Sequence, residues 1–266
     1  MLRALGVIPA RYASTRFPGK PLAPLGNGSL LSAVWTNAAA ASGLARVIVA
    51  TEDQRIVDAC RSYGAEAMLT SPGHASGTDR AAEVVRQVGA SFDVVVNIQG
   101  DEPFVTPTSL NALVAAFDEQ PELTMATLAE PIEDVDEIFD PGTVKVVLRS
   151  DGRALYFSRA PIPFHRASSG TLQADYSEQL RLRPRGLTGY FKHQGIYAYR
   201  RETLFSITAM APSPLELREG LEQLRALQAG IGILVLFSDF KSIAVDTPAD
   251  LARAAQRLSS RQEIAR

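Results

Sequence analysis

Three cations fall within ten residues near the start of the chain: Arg11, Arg16 and Lys20, in the segment ARYASTRFPGK. Small residues and a Pro18-Gly19 turn separate them. Small side chains let backbone N–H groups approach a ligand, and the cations neutralise phosphate oxygens. One such contact near a protein surface is worth about 4 kcal/mol gross at roughly 4 Å, so three could hold a triphosphate against desolvation. By composition the segment suits equally well a solvated loop whose arginines pair with distant carboxylates. Two acidic positions stand out as well. Gln99-Gly100-Asp101-Glu102-Pro103 follows the run FDVVVNI. A carboxylate beyond the end of a strand is placed to hold Mg²⁺, which takes one or two carboxylates and completes its shell with phosphate and water. Gly-Asp and Pro make an ordinary tight turn just as well. Asp246 precedes Thr247-Pro248, which read as N-cap and first residue of a helix. Alone, Asp246 is a capping-region aspartate. Beside Asp101 it could share a metal.

The charge distribution supports an anionic ligand. The first 51 residues carry five basic side chains and no acidic one, the first carboxylate being Glu52, while the other 215 carry 22 basic and 29 acidic groups. A segment without carboxylates suits an anion. Nucleic acid fits less well, because no basic stripe is interleaved with aromatics and the net charge is −2. A single cysteine, Cys60, speaks against a secreted, disulfide-framed protein and reads as a small buried hydrophobe on a helix. The opening MLRALGVIPARY has too short an apolar run for a signal peptide, and no stretch approaches 18 uncharged apolar residues. The expectation is a cytoplasmic protein with no membrane span.

These residues need elements to position them. Residues 4–9, 46–50, 65–69 and 92–98 read as buried strands, and 30–41, 53–63, 78–88 and 108–119 as helices between and after them. That alternation predicts an α/β fold with a mostly parallel, helix-covered sheet. The pattern then changes. Residues 123–128, 144–148 and 154–157 read as strands without intervening helices, and 165–189 as an exposed loop or lid bearing Arg166, Arg181, Arg183 and Arg185. Residues 214–229 read as one amphipathic helix, 232–237 and 242–245 as strands, and 247–257 as a last helix. The expectation is one domain over 1–266, with an inserted antiparallel subdomain at about 123–212.

Several chemistries lose support. Gly26-Asn27-Gly28 is followed by Leu31 where a dinucleotide fingerprint needs glycine, and Ser14 stands where a phosphate loop ending in Gly19-Lys20 needs its first glycine. The histidines, His74, His165 and His193, show no zinc spacing, and no G-x-S-x-G elbow occurs.

Taken in order, ARYASTRFPGKPL, HASGTDR, VVNIQGDEPF, YFSRAPIPF, HQGIYAYR, PSPLELREGLEQLRAL and VDTPADL resemble the CMP-Kdo synthetase (3-deoxy-manno-octulosonate cytidylyltransferase) family over roughly residues 5–255. The resemblance implies a nucleotide-diphospho-sugar transferase fold, Rossmann-like, whose inserted subdomain serves dimerisation in a homodimer. It implies the reaction of CTP with 3-deoxy-manno-octulosonate (Kdo) to give CMP-Kdo and pyrophosphate, dependent on Mg²⁺, for lipopolysaccharide biosynthesis. By position, Arg11 and Lys20 would hold the triphosphate, with Ser14 and Arg16 supporting the loop. Asp101 and Asp246 would hold the metal. Ser76, Gly77, Thr78 and Arg80 match the block that holds the cytidine. Gln99, Arg159, His193, Tyr197, Glu222 and Gln223 match positions around the sugar acid, with Arg159 suited to its carboxylate.

The chain departs from the family pattern at Ala244, where glycine is expected and a methyl group is placed to crowd the metal loop. It departs again at 166–189, which is rich in arginine and bears on the choice of sugar. Other acceptors, 8-amino-Kdo or sialic acid, and a metal-dependent glycosyltransferase of the same fold are the alternatives. A non-catalytic nucleotide sensor is the third, and would need no paired aspartates.

Overall fold

The computed structural model describes residues 2–13, 16–164, 180–181 and 187–264, with side chains as far as Ser260 in the last helix. Ser14 and most of the 165–189 segment, including Arg166, Arg183 and Arg185, lie outside the described residues. The chain divides into two compact units. One comprises Met1–Leu123, Gly195–Ala209 and Asp239–Arg266, the other Thr124–Gln194 and Met210–Ser238.

The first unit is built on strands β1 (Ala4–Pro9), β2 (Leu44–Thr51), β3 (Glu66–Leu69) and β4 (Val94–Asn97). Helices α1 (Leu30–Ala39), α2 (Gln54–Ser62), α3 (Gly77–Val88) and α4 (Pro107–Glu119) connect or follow them. β1 pairs in parallel with β2 on one side and β4 on the other, and β2 pairs in parallel with β3. The near-continuous apolar strands follow from burial on both faces by helices. Each helix starts on a capping side chain: Ser29, Asp53, Ser76 and Thr106 each accept a backbone N–H of the first turn. The order 3-2-1-4 puts a topological switch between β1 and β4, and ligands of open α/β sheets bind beyond the strand ends at such a point. The loops leaving these two strands are the two that carry Arg11–Lys20 and Gln99–Pro103.

In the second unit, β5 (Met125–Pro131) precedes the short helix α5 (Val135–Phe139). Strands β6 (Lys145–Leu148) and β7 (Ala154–Ser158) follow. Strand β8 (Phe191–Arg200) begins in this unit and ends in the first, where its C-terminal half pairs antiparallel with β4. Helix α6 (Arg201–Ala209), unanticipated from the sequence, continues from it. Helices α7 (Pro214–Glu219) and α8 (Gln223–Gln228) and strand β9 (Ile233–Phe237) complete the second unit. β6 pairs antiparallel with β7 and with the start of β8. β5 and β9 pair in parallel, so this unit is not wholly antiparallel as the sequence suggested.

Two further expectations are corrected. The single helix over 214–229 is broken at Gly220, whose φ of 63° is left-handed and ends α7 as a C-cap glycine does. Residues 242–245 form no strand. They are held by a Val245 N–H bond to the Asp101 carbonyl and by Ser242 donating to Glu102. The last helix, α9, runs Pro248–Ile264.

Lys145 is fully buried in the second unit. Its ammonium donates to the carbonyls of Asp140 (2.9 Å), Thr143 (2.6 Å) and Arg159 (2.7 Å). Burial pulls this ammonium down to about 8, with Asp140 opposing. Replacing it by methionine leaves three carbonyls without that donor, at about 1–3 kcal/mol for each one left unpaired. Lys145→Met should therefore lose at least about 3 kcal/mol in urea unfolding, with the urea dependence unchanged.

Candidate active site

A cavity of about 450 Å³ opens in the first unit where β1 and β4 end, lined by Arg11, Arg16, Lys20, Gly77, Gln99, Gly100, Asp101 and Asp246 among others. Three chain segments meet there. Lys20 begins a 3₁₀ turn, Lys20–Leu22, and its Nζ donates to Asp101 Oδ2 at 2.8 Å and Asp246 Oδ1 at 3.2 Å. Arg16 Nη1 lies 3.2 Å from the other oxygen of Asp246. Burial alone would pull the Lys20 ammonium down, but the charge and hydrogen bond of Asp101, followed by those of Asp246, outweigh it and hold the group above its ordinary value. Asp246 is oriented by its own backbone, whose N–H donates to Asp250 in the first turn of α9.

Backbone geometry sets these side chains. A Cβ on Gly100 would lie 2.8 Å from the Pro9 carbonyl oxygen, so only glycine lets the Asp101 loop pass this close to β1. Gly19 takes a left-handed φ of 73° just before Lys20, and its N–H donates to the Tyr12 carbonyl, closing the cation loop. Ala244 is exposed, so its methyl group does not crowd the Asp246 loop, contrary to the sequence expectation.

The helix-start block divides in two. Gly77 lines the cavity at the N-terminus of α3, where the helix dipole favours an anion. Ser76 is committed to a capping box with Asp79. Thr78 is buried and accepts from Asn97 at 3.4 Å. Arg80, read from the sequence with the cytidine-holding block, is 1% exposed and does not line the cavity. Its guanidinium donates to Thr70 Oγ1 at 2.5 Å and pairs with Glu52 Oε2 at 2.8 Å. Burial pulls it below its ordinary value, Glu52 pushes back, and the nearby charge of Arg11 adds to the lowering. Arg11 itself donates to the His74 carbonyl, and the His74 ring contacts Glu83.

Comparison with known proteins identifies the family of the chain. Residues 5–238 match the family model described as cytidylyltransferase. A 3-deoxy-manno-octulosonate cytidylyltransferase of Pseudomonas fluorescens is 48% identical over 96% of this chain and 97% of its own. One from Bacteroides thetaiotaomicron is 47% identical over 98% and 100%. A solved structure of CMP:2-keto-3-deoxy-manno-octonic acid synthetase complexed with CTP superposes with a TM-score of 0.85. It is 37% identical and covers 97% of this chain and 99% of its own. The chain belongs to the 3-deoxy-manno-octulosonate cytidylyltransferase family. A putative glucose-1-phosphate thymidylyltransferase of Bacillus anthracis, 16% identical at a TM-score of 0.64 over 96% and 94%, shares the fold.

The remaining positions matched to the sugar acid are split between the units of this cytidylyltransferase. Gln99 lines the cavity and Tyr197 is buried in β8 at 5.9 Å, ring to ring, from Tyr199, both in the first unit. Arg159, His193, Glu222 and Gln223 belong to the second. Arg159 is fixed by Nε donating to the Glu219 carbonyl (2.9 Å) and Nη1 to the Pro141 carbonyl (2.8 Å). Glu222 occupies the N-cap position of α8 without a side-chain cap bond, and Gln223 is buried with its side-chain nitrogen unbonded. Buried amides are ordinarily paired, so such a donor suits a ligand oxygen.

Sequence reasoning missed Glu52, Thr70, Glu83 and Asp250, which orient the cations and carboxylates without facing the cavity. The one visible signal was Glu52, the first carboxylate of the chain, placed just after a strand.

His193 stands edge-on to Phe157, with Nε2 3.0 Å from Thr127 Oγ1. Burial pushes its imidazole down to about 3. As pH falls below 6.5 the unfolded chain takes up a proton that the folded protein accepts only near 3, so stability drops across that window. Urea unfolding at pH 7.5 and 5 should show the native protein losing about 2 kcal/mol more than His193→Gln.

Proposed function

We propose that this protein transfers the cytidylyl group of CTP to the anomeric hydroxyl of 3-deoxy-manno-octulosonate, releasing pyrophosphate, as the activating step that supplies this sugar acid to lipopolysaccharide. The carrying observation is the convergence of Arg11, Arg16, Lys20, Asp101 and Asp246 on one cavity, in a chain 42–48% identical to enzymes of that name. In the reaction the hydroxyl oxygen forms a bond to the α-phosphorus, the bond to the β-phosphate oxygen breaks opposite it, and the hydroxyl loses its proton. Phosphoryl and nucleotidyl transfers of this kind leave the protein mainly positioning and charge neutralisation. Arg11 and Lys20 are assigned to the triphosphate, with Arg16 supporting the loop, and Gly77 at the start of α3 lines the same cavity. Gln99, Arg159, His193, Tyr197, Glu222 and Gln223 are assigned to the sugar acid, and Ser76, Gly77 and Thr78 at the start of α3 to the cytidine end of the site, with the buried Arg80 behind them.

Among the described residues no three His, Cys, Asp or Glu side chains are grouped to hold a metal. Asp101 and Asp246 nevertheless reach one ammonium, so their carboxylates lie close enough to share a cation. Two carboxylates with phosphate oxygens and water are the donor set of Mg²⁺. Bound there, Mg²⁺ would neutralise phosphate charge and lower the pKa of a coordinated hydroxyl. Were Asp101 and Asp246 to hold the metal, the Lys20 ammonium they now share would be available to the phosphates.

We also propose a homodimer in the cytoplasm. Leu155, Phe164, Leu217 and Phe237, four of the five large exposed hydrophobic side chains among the described residues, all belong to the second unit. Leu155→Glu should shift the light-scattering mass from twice the 28.6 kDa chain toward one chain; an unchanged dimer removes Leu155 from the interface.

The central test is pyrophosphate release from CTP and Mg²⁺ with Kdo, 8-amino-Kdo or sialic acid supplied separately. Kdo alone should support it. Release with another acid alone would keep the chemistry and change the sugar. Release of a nucleoside diphosphate from a nucleotide sugar would mark a glycosyltransferase. Asp246→Asn should lower turnover about 100-fold while CTP still binds.

A further inference from the structure

The cation loop is pinned at one residue. Tyr12 accepts the Gly19 N–H through its carbonyl at 2.9 Å, and its hydroxyl lies 3.3 Å from where a Cβ on Gly19 would stand. The Arg55 guanidinium covers that ring at 3.4 Å. The Tyr12 N–H donates to Glu52 Oε1 at 3.2 Å. This last bond continues a pattern. β1 and β2 run in parallel register to Pro9 opposite Ala50, and the Ala10 N–H donates to the Ala50 carbonyl. In a parallel ladder the next inward N–H, two residues on, would meet the carbonyl of residue 52. The Glu52 side chain takes that place, so the loop is held to β2 while its backbone diverges toward the cavity.

The other oxygen of Glu52 faces Arg80 at 2.8 Å. Arg80 is anchored in turn on Thr70, whose hydroxyl donates to the Thr51 carbonyl at 3.1 Å. Arg11 lies close enough to raise the cost of charging Arg80. Glu52 thus stands between the buried guanidinium and the loop carrying Arg11, Arg16 and Lys20.

We propose that Glu52 is a positioning residue for the nucleotide: it holds the Tyr12 amide, and through it the cation loop, to the buried Arg80. The inference rests on the triphosphate reading of that loop. Arg80 then acts on CTP through Glu52 and needs no contact of its own.

The test compares Glu52→Ala and Glu52→Gln with the native enzyme by steady-state kinetics and by calorimetric CTP binding. Glu52→Ala should raise KM and Kd for CTP at least tenfold and leave KM for Kdo within twofold. Glu52→Gln keeps an oxygen for the Tyr12 amide and should restore CTP binding to within threefold of native, although its melting temperature falls because Arg80 loses its counter-charge. Should Glu52→Ala fail to fold, Glu52→Asp carries the test. Its shorter carboxylate still faces Arg80 but loses reach to Tyr12, so CTP binding weakens while the fold survives. Native CTP affinity in a folded Ala or Asp variant overturns the proposal, as does an equal loss toward both substrates. A native enzyme that releases no pyrophosphate overturns the functional reading instead, and the calorimetric comparison still decides the role of Glu52.

Discussion

One ammonium ties together three segments that the sequence keeps far apart. Lys20 reaches Asp101, 81 residues on, and Asp246, 226 residues on, with 14% of its side chain exposed. An uncompensated lysine at that depth would be costly, and two carboxylates crowded together would repel. Each group makes the others tolerable. The constraint runs back into the scaffold. Lys20 can arrive only because Gly19 turns left-handed, Asp101 only because Gly100 lacks a Cβ against Pro9, and Asp246 only because the chain at 242–246 gives up a sheet ladder for bonds to Asp101 and Glu102.

Around this point the first unit divides its charged groups by depth. Arg11, Arg16 and Lys20 line the cavity, whereas Arg80 and Glu52 stand behind it as counterweights. The same fold could place a glycosyltransferase or thymidylyltransferase site at this switch point, and structural likeness at 16% identity speaks only to the scaffold. What separates this chain is the set of side chains around the cavity together with near full-length identity to one enzyme family.

Much of this was legible in the sequence because the signals were local. The β-branched run within 92–98, the Thr247 cap of the last helix, and small residues among cations each reflect a short-range rule. The α/β alternation and the loops of Arg11–Lys20 and Asp101 followed directly. The misread features depend on tertiary context. Nothing in HASGTDR shows which side of α3 the Arg80 guanidinium takes, and its burial against Thr70 and Glu52 emerges only once β2, β3 and α3 are packed. Residues 242–245 have strand composition but no neighbouring edge. The break at Gly220 was written in the residue type and lost to the apolar periodicity around it.

The burial of Arg80 also constrains how this protein can change over generations. Loss of Glu52 strands a buried charge, and loss of Arg80 leaves Glu52 facing the loop cations without its inner partner. Each single replacement is worse than a coordinated pair of apolar or amide substitutions would be. Beyond near-isosteric exchanges at Glu52, the two positions therefore drift more readily together than singly. The rest of the cation loop inherits that constraint: an innovation at Arg11 or Arg16 must be accommodated by a frame whose two members are costly to replace one at a time.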